Sequence, residues 1–130
     1  MHTKGGRCRR YRTRGGQIEV ESRPADIPAF AAVITLHGEH DLTTAPAVVE
    51  TLRSVAGNVL VELSHCAFLD STIISALIAA AQEHERNGRY LELLLTPGNE
   101  TVTRTLDVVG LRRLIVIHRE RPTSGDERDR

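Results

Sequence analysis

The sequence predicts an α/β domain, with a mixed β-sheet of about five strands and helices packed mainly on one face. Two observations predict it. Along residues 17–118 the apolar residues switch repeatedly between a period of two and helical spacing, and the segments fall in the order β-β-α-β-α-β-α-β. Each strand–helix–strand unit implies parallel neighbours joined by a right-handed crossover, while the first two strands imply an antiparallel pair at one edge. Three helices are few for both faces of five strands, and Glu62 and Glu92 fall inside strands, so one face is expected to meet water.

The elements follow in order. Gln17–Glu21 alternates strictly, as a half-buried strand does, and Ala32–His37 is a second strand; Pro24 and Pro28 break the segment between them. The loop Gly38-Glu39-His40-Asp41 comes next. Ala47, Val48, Thr51, Leu52 and Val55 then recur at helical spacing, ending near Gly57. Val59–Leu63 is a third strand. From Ser71 to about Asn87, Ile74, Leu77, Ile78 and Ala81 form one stripe of the longest helix, which Asn87-Gly88 stops. Tyr90–Leu95 is a fourth strand. Val102, Leu106 and Val109 mark a short helix ending at Gly110, and Leu114–Ile117 is the last strand.

Length and charge set the domain organisation. The 130 residues amount to one domain, and the aromatic share of 3% leaves a core of Val, Ile, Leu and Ala. Two cysteines, Cys8 and Cys66, make no disulfide scaffold, so the chain reads as cytoplasmic. No apolar run approaches the ~18–20 residues of a membrane span, and no apolar stretch follows the basic N-terminus as a secretory signal requires. The zero net charge hides an asymmetry. Residues 1–16 carry one lysine and five arginines with no acid, residues 17–118 hold seven arginines against thirteen carboxylates, and residues 119–130 hold four of each sign. The expected division is therefore a basic flexible tail at 1–16, the folded domain at 17–118, and a flexible charged tail at 119–130. With only Tyr11 for stacking, the basic tail offers weak electrostatic contact, and nucleic acid is not expected as a partner.

In parallel α/β folds, functional loops gather beyond the carboxyl ends of the strands. Two loops fit: Gly38–Asp41, and the run Cys66–Thr72 between the third strand and the longest helix. Ser71 falls at the helix start, where unpaired N–H groups favour an anion, so it is placed to carry a phosphate. The plainer alternative makes Asp70 or Ser71 an N-cap and nothing more. His37, His40, Asp41 and His65 are metal-ligating types, but their spacing defines no ligand set, so neither metal nor cofactor is expected. A Ser71-His-Asp catalytic group lacks any signal for an oxyanion hole or a substrate pocket. There is also no phosphate-binding glycine loop, nucleophile elbow or Cys-x-x-Cys pair, and the chain is not read as an enzyme. Cys66 is read as a small buried residue, with redox sensing the alternative if it is exposed.

Across about residues 17–118 the chain resembles the STAS domain family, and within it the single-domain anti-sigma factor antagonists of bacteria. The matching runs are Gly38-Glu39-His40-Asp41-Leu42 with Thr43-Thr44-Ala45-Pro46, Val59–Ser64, Phe68-Leu69-Asp70-Ser71-Thr72, Leu94-Leu95-Thr96-Pro97 and Val109–Leu114. The resemblance implies a STAS-like fold and a stress-response regulator of transcription that works by partner switching. Such a protein binds an anti-sigma factor, a kinase of the histidine-kinase-like ATPase type, and so releases a sigma factor. The kinase inactivates it by phosphorylating the serine that falls on Ser71, and a serine phosphatase reverses this. Asp41 matches the acidic residue that contacts the kinase, and Asp70 the aspartate beside the phosphorylated serine. The implied partner-facing set is Gly38, Glu39, His40, Asp41, Asp70, Thr72 and Ile73, with Thr72 the fallback acceptor.

One position departs from the family. Glycine usually stands two residues after the phosphorylated serine, and here that position is Ile73, which either turns inward as core or is an exposed docking contact. The departure favours the alternative of a STAS scaffold or interaction subunit, of a stressosome or a transport complex, whose serine is not modified. The lack of an attached sensor or transmembrane domain points away from that alternative. A nucleotide-binding STAS domain is a third reading, and the oligomeric state is left open.

Overall fold

The computed structural model describes residues 7–123. It contains β1 (Cys8–Thr13), β2 (Gly16–Ser22), β3 (Ala32–His40), α1 (Ala45–Arg53), β4 (Val59–Glu62), β5 (Cys66–Leu69), α2 (Ser71–Arg86), β6 (Leu91–Leu94), α3 (Glu100–Val108), a 3-10 turn at Leu111–Arg113 and β7 (Ile117–His118). The strands form one mixed sheet in the order β1-β2-β3-β4-β6-β7, with β5 also pairing β3. β1, β2 and β3 run antiparallel, and the pairings of β3 with β4 and β5, β4 with β6, and β6 with β7 are parallel.

The period-two pattern explains which face is covered. Ile18, Val20, Ile34, Leu36, Val59, Val61, Leu91 and Leu93 point to one side and form one buried cluster. The same cluster takes in Val48 and Leu52 of α1, Ile73, Ile74 and Leu77 of α2, and Val102 and Leu106 of α3. All three helices therefore bury their apolar stripes on a single face of the sheet, as the sequence predicts. The opposite face is covered at its centre without a helix. The proline-broken segment between β2 and β3 lays Ile27 and Phe30 over Val33, Leu60 and Leu94. Phe30 meets Tyr90 edge-to-face at 5.5 Å. Toward the rim of that face Glu92 is buried rather than water-facing, with its carboxylate 2.8 Å from His118 Nε2.

Four segments depart from the sequence expectation. The predicted loop Gly38-Glu39-His40-Asp41 is, for its first three residues, the end of β3, which pairs with β5 there. The basic stretch expected as a tail through residue 16 is a paired strand over Cys8–Thr13, joined to β2 by the turn Arg14-Gly15. Its side chains are exposed on both faces, so it carries no apolar alternation to read, and the antiparallel pair β2–β3 lies one strand inside the edge. The predicted loop after β4 contains β5, too short and bulged for alternation to appear. The last strand begins later than Leu114, because Leu114 and Ile115 still donate backbone bonds to Leu111 as a continuation of the 3-10 turn. At the C-terminal side Arg121 bonds to Asp26 and Glu21, which ties the start of the expected tail to the sheet. Residues 1–6 and 124–130, the rest of both expected tails, lie outside the described residues.

Gly38 decides how the hairpin meets the rest. Its φ is 82°, and a Cβ there would stand 2.6 Å from Gly15 O and 2.8 Å from Gly16 Cα. The backbone of the β1–β2 turn occupies the space a side chain would need. Gly38→Ala should lower the free energy of unfolding by about 1–3 kcal/mol, because the turn must shift and a left-handed residue gains a Cβ. Urea unfolding checks this; an unchanged midpoint would show that the hairpin yields freely.

Candidate functional site

The predicted site lies where β3 and β5 end side by side. The two strands are in parallel register, with Glu39 opposite Phe68 and His40 opposite Leu69, and Asp70 N–H donates to His40 O at 3.3 Å. The loop after β3 and the start of α2 are thus brought to one edge.

Asp70 is the joint between them. It is the N-cap of α2 in an extended conformation, and its Oδ1 accepts from Thr72 N–H at 3.0 Å and Ile73 N–H at 3.2 Å. Its Oδ2 accepts from Leu42 N–H of the other loop at 3.2 Å. One carboxylate therefore caps the helix and holds the facing loop. Ser71 is the first residue of α2 and is exposed. Since Asp70 provides the cap, Ser71 does not fill that role.

Asp41 folds its own loop. Its Oδ1 accepts from Thr43 N–H at 2.9 Å and from the Thr43 hydroxyl at 2.6 Å. Those bonds, the hydroxyl's first, hold its carboxyl below the usual range, so it stays ionised on the surface. Glu39 is exposed beside it, and its N–H donates to Gly15 O at 3.0 Å.

Two residues of the expected partner-facing set are buried instead. Ile73 is 0% exposed and packs in the core, because the first turn of α2 faces the sheet. His40 is also 0% exposed. The His37 carbonyl can only accept, so His40 Nε2 carries the ring proton 2.9 Å from it. Nδ1 lies 3.1 Å from the Thr44 hydroxyl, which also bonds Asp41 O, so the ring is held in the base of the loop. Gly38 is half-buried, with the backbone of the hairpin turn where a side chain would stand. Glu39, Asp41, Asp70 and Thr72 remain at the edge with Ser71.

Two residues outside that set stand out. Leu42 is 67% exposed between Asp41 and Thr43, and Phe68 is 45% exposed on β5. Leu42, Ala45, Pro46 and Val49 line a shallow groove of about 610 Å³ along α1. An apolar residue in an otherwise polar loop is the sequence signal that marks Leu42.

The other reactive types lie elsewhere. His37 Nε2 is 2.8 Å from Glu19, and its ring stacks on His65 at 5.4 Å. Among the described residues no group of three or more His, Cys, Asp or Glu is arranged to hold a metal ion. Cys66 is buried, donates to Phe68 O at 3.2 Å and has its thiol pushed up to about 11 by burial, which keeps it protonated and unreactive. Cys8, exposed on β1, is free as well. No helix among the described residues is long and apolar enough to cross a membrane.

A family model described as "Mlab, STAS domain" matches residues 25–117. The chain belongs to the STAS domain family. Among solved structures, this STAS domain is similar to an anti-sigma factor antagonist from Mycobacterium paratuberculosis, with a TM-score of 0.65 and 20% identity over 79% of this chain and 85% of that one. It is also similar to the anti-sigma factor antagonist SpoIIAA in its unphosphorylated form, with a TM-score of 0.60 and 18% identity over 77% of this chain and 86% of that one. At these identities the likeness is one of fold. No curated protein matches the chain.

Two outcomes follow for the site of this STAS domain. Asp70→Ala should cost about 1–2 kcal/mol of stability while Asp70→Asn keeps most of it, since asparagine caps nearly as well; equal losses in urea unfolding would deny the cap its role. His40 is held below the ordinary histidine value mainly by burial. The unfolded chain then binds more protons just below about pH 6.5, so stability declines as pH falls through that value toward the lower folded one. The His40 ring should titrate below a free histidine by NMR, and His40→Gln should flatten the loss of unfolding free energy between about pH 7 and pH 5. A normal midpoint for the ring would contradict the buried neutral tautomer.

Proposed function

We propose that this STAS domain is an anti-sigma factor antagonist that binds an anti-sigma factor of the histidine-kinase-like ATPase type and thereby releases a sigma factor. Phosphorylation of Ser71 switches it off, and a serine phosphatase restores it. The protein acts as a cytoplasmic interaction module and not as an enzyme. The observation that carries the proposal is the position of Ser71. It is exposed at the first residue of α2, and Asp70 both caps that helix and fastens the Asp41–Thr43 loop beside it. The likeness to solved antagonists supports the same reading.

The switch is electrostatic. A phosphate adds about −1.5 to −2 charges at neutral pH. Here it would join the carboxylates of Asp41 and Asp70, on a surface that also offers Leu42 as an apolar contact. A partner that fits a neutral hydroxyl beside Leu42 meets repulsion and a desolvation penalty once the serine is modified. Thr72 is the poorer acceptor, being half-buried in the capped turn.

A second reading has its own support. Ile73 fills the position where antagonists usually have glycine, and the matching family model is described as "Mlab, STAS domain". Under this reading the domain is an interaction subunit whose Ser71 stays unmodified. Wild type, Ser71→Ala and Ser71→Glu used as baits in lysate of the native host separate the two. Wild type and Ser71→Ala should recover an ATPase-type kinase, with Ser71→Glu weakened by at least about tenfold. The same partners on all three baits would overturn the switch and favour the second reading.

A further inference from the structure

The Ser71 site leaves the free edge of β1 unused. β1 ends the strand order, so among the described residues no strand lies beyond it, and it is exposed along nearly its whole length. The ladder to β2 decides which backbone groups point outward. Ser22 N–H donates to Arg7 O at 2.8 Å, and hydrogen-bonded and non-bonded pairs alternate along an antiparallel ladder. In the observed register the bonded pairs are then Arg9–Val20, Tyr11–Ile18 and Thr13–Gly16. Cys8, Arg10 and Arg12 consequently turn their N–H and C=O groups toward the open edge.

The side chains at this edge are strongly basic. Arg7, Arg9, Arg10, Arg12 and Arg14 are all exposed. Among the described residues Arg10 is the one of these in an ion pair, with Glu19 at 3.7 Å, and such an exposed pair holds weakly; Arg14 acts on Asp41 through charge alone. Alternation along the strand places Arg10 and Arg12 on the Glu19 face and Arg9 on the helix face, where its guanidinium lies 5.9 Å from the Tyr11 ring centre.

We propose that the β1 edge binds an acidic, extended segment of a partner protein by strand addition. The exposed backbone groups of Cys8, Arg10 and Arg12 supply the ladder, and the arginines on both faces supply the charge selection. A second copy of this chain does not fit, because two β1 edges would set arginine opposite arginine. A nucleic acid matches the charge but not the alternating donors and acceptors of the strand edge. The inference does not rest on phosphorylation of Ser71, because the edge groups of β1 take no part in the Asp70 cap or the Asp41 loop bonds.

The test uses the full chain and a labelled peptide of alternating Glu and Val, read by fluorescence anisotropy. Controls are the Lys-for-Glu peptide, a version N-methylated at alternate residues, and a single-stranded oligothymidylate of similar length. The acidic peptide should bind, the Lys peptide should not, and N-methylation should weaken binding by at least about tenfold. Arg10→Glu with Arg12→Glu should weaken the acidic peptide to a similar extent, and hydrogen exchange should slow at the amides of Cys8, Arg10 and Arg12 when it is bound. The N-methyl control changes only the probe, so a misfolded variant does not decide the result. Absence of binding, indifference to N-methylation, or tighter binding of the oligothymidylate would overturn strand addition, the last in favour of a nucleic-acid surface.

Discussion

The structure depends on one strand being shared three ways. β3 pairs with β2 along one side; along the other it pairs with β4 over Ala32–Thr35 and then with β5 over Gly38–His40. Within the β3–β5 pairing the register shifts between Gly38 and Glu39, where Ala67 of β5 is left without a partner on β3. Gly38 permits it by taking a positive φ and letting the β1–β2 turn approach where a Cβ would stand. Beyond the shift, His40 O receives Asp70 N–H, and that bond sets where α2 begins. Asn99 secures the same region from behind, its Nδ2–H donating to Cys66 O at 2.7 Å while its Oδ1 caps α3 by accepting from Val102 N–H. The Ser71 edge is thus set by the backbone pairing of β3 with β5 and fastened by the Asp70 and Asn99 side chains.

That hierarchy explains what was legible in the sequence. Period-two and helical spacing report burial, so the strands and helices that bury a face were readable: β2, β3, β4, β6 and all three helices lie where their apolar residues place them. β1 and β5 were not, because β1 leaves its side chains exposed on both faces and β5 is a bulged four-residue strand whose buried residues, Cys66 and Leu69, stand three apart. Glu92 misled for the opposite reason. A carboxylate inside a strand suggests solvent, yet His118 satisfies it 2.8 Å away, a partner from the far end of the chain that no local pattern announces. At the candidate site, sequence placed Asp41, Asp70 and Ser71 at one edge but could not separate exposed from buried neighbours. His40 and Ile73 sit one and two positions from those residues and still point inward, because side-chain direction depends on the twist of β3 and the phase of α2.

The capping pattern also bears on how a charge at Ser71 would be felt. A helix N-terminus normally lends free N–H groups to an anion. In α2 those of Thr72 and Ile73 are taken by Asp70 Oδ1, and that of Ile74 by Asp70 O at 3.1 Å. A phosphate on Ser71 would therefore find the first turn already served, by a carboxylate that repels it. The loop opposite is held to the same carboxylate through Leu42 N–H, so the loop has little freedom to move aside and relieve the repulsion. Under the proposed switch the added charge would act on a docking partner and not by refolding the domain. A rigid cap is then what allows a modification of one exposed hydroxyl to be read as a change in surface charge alone.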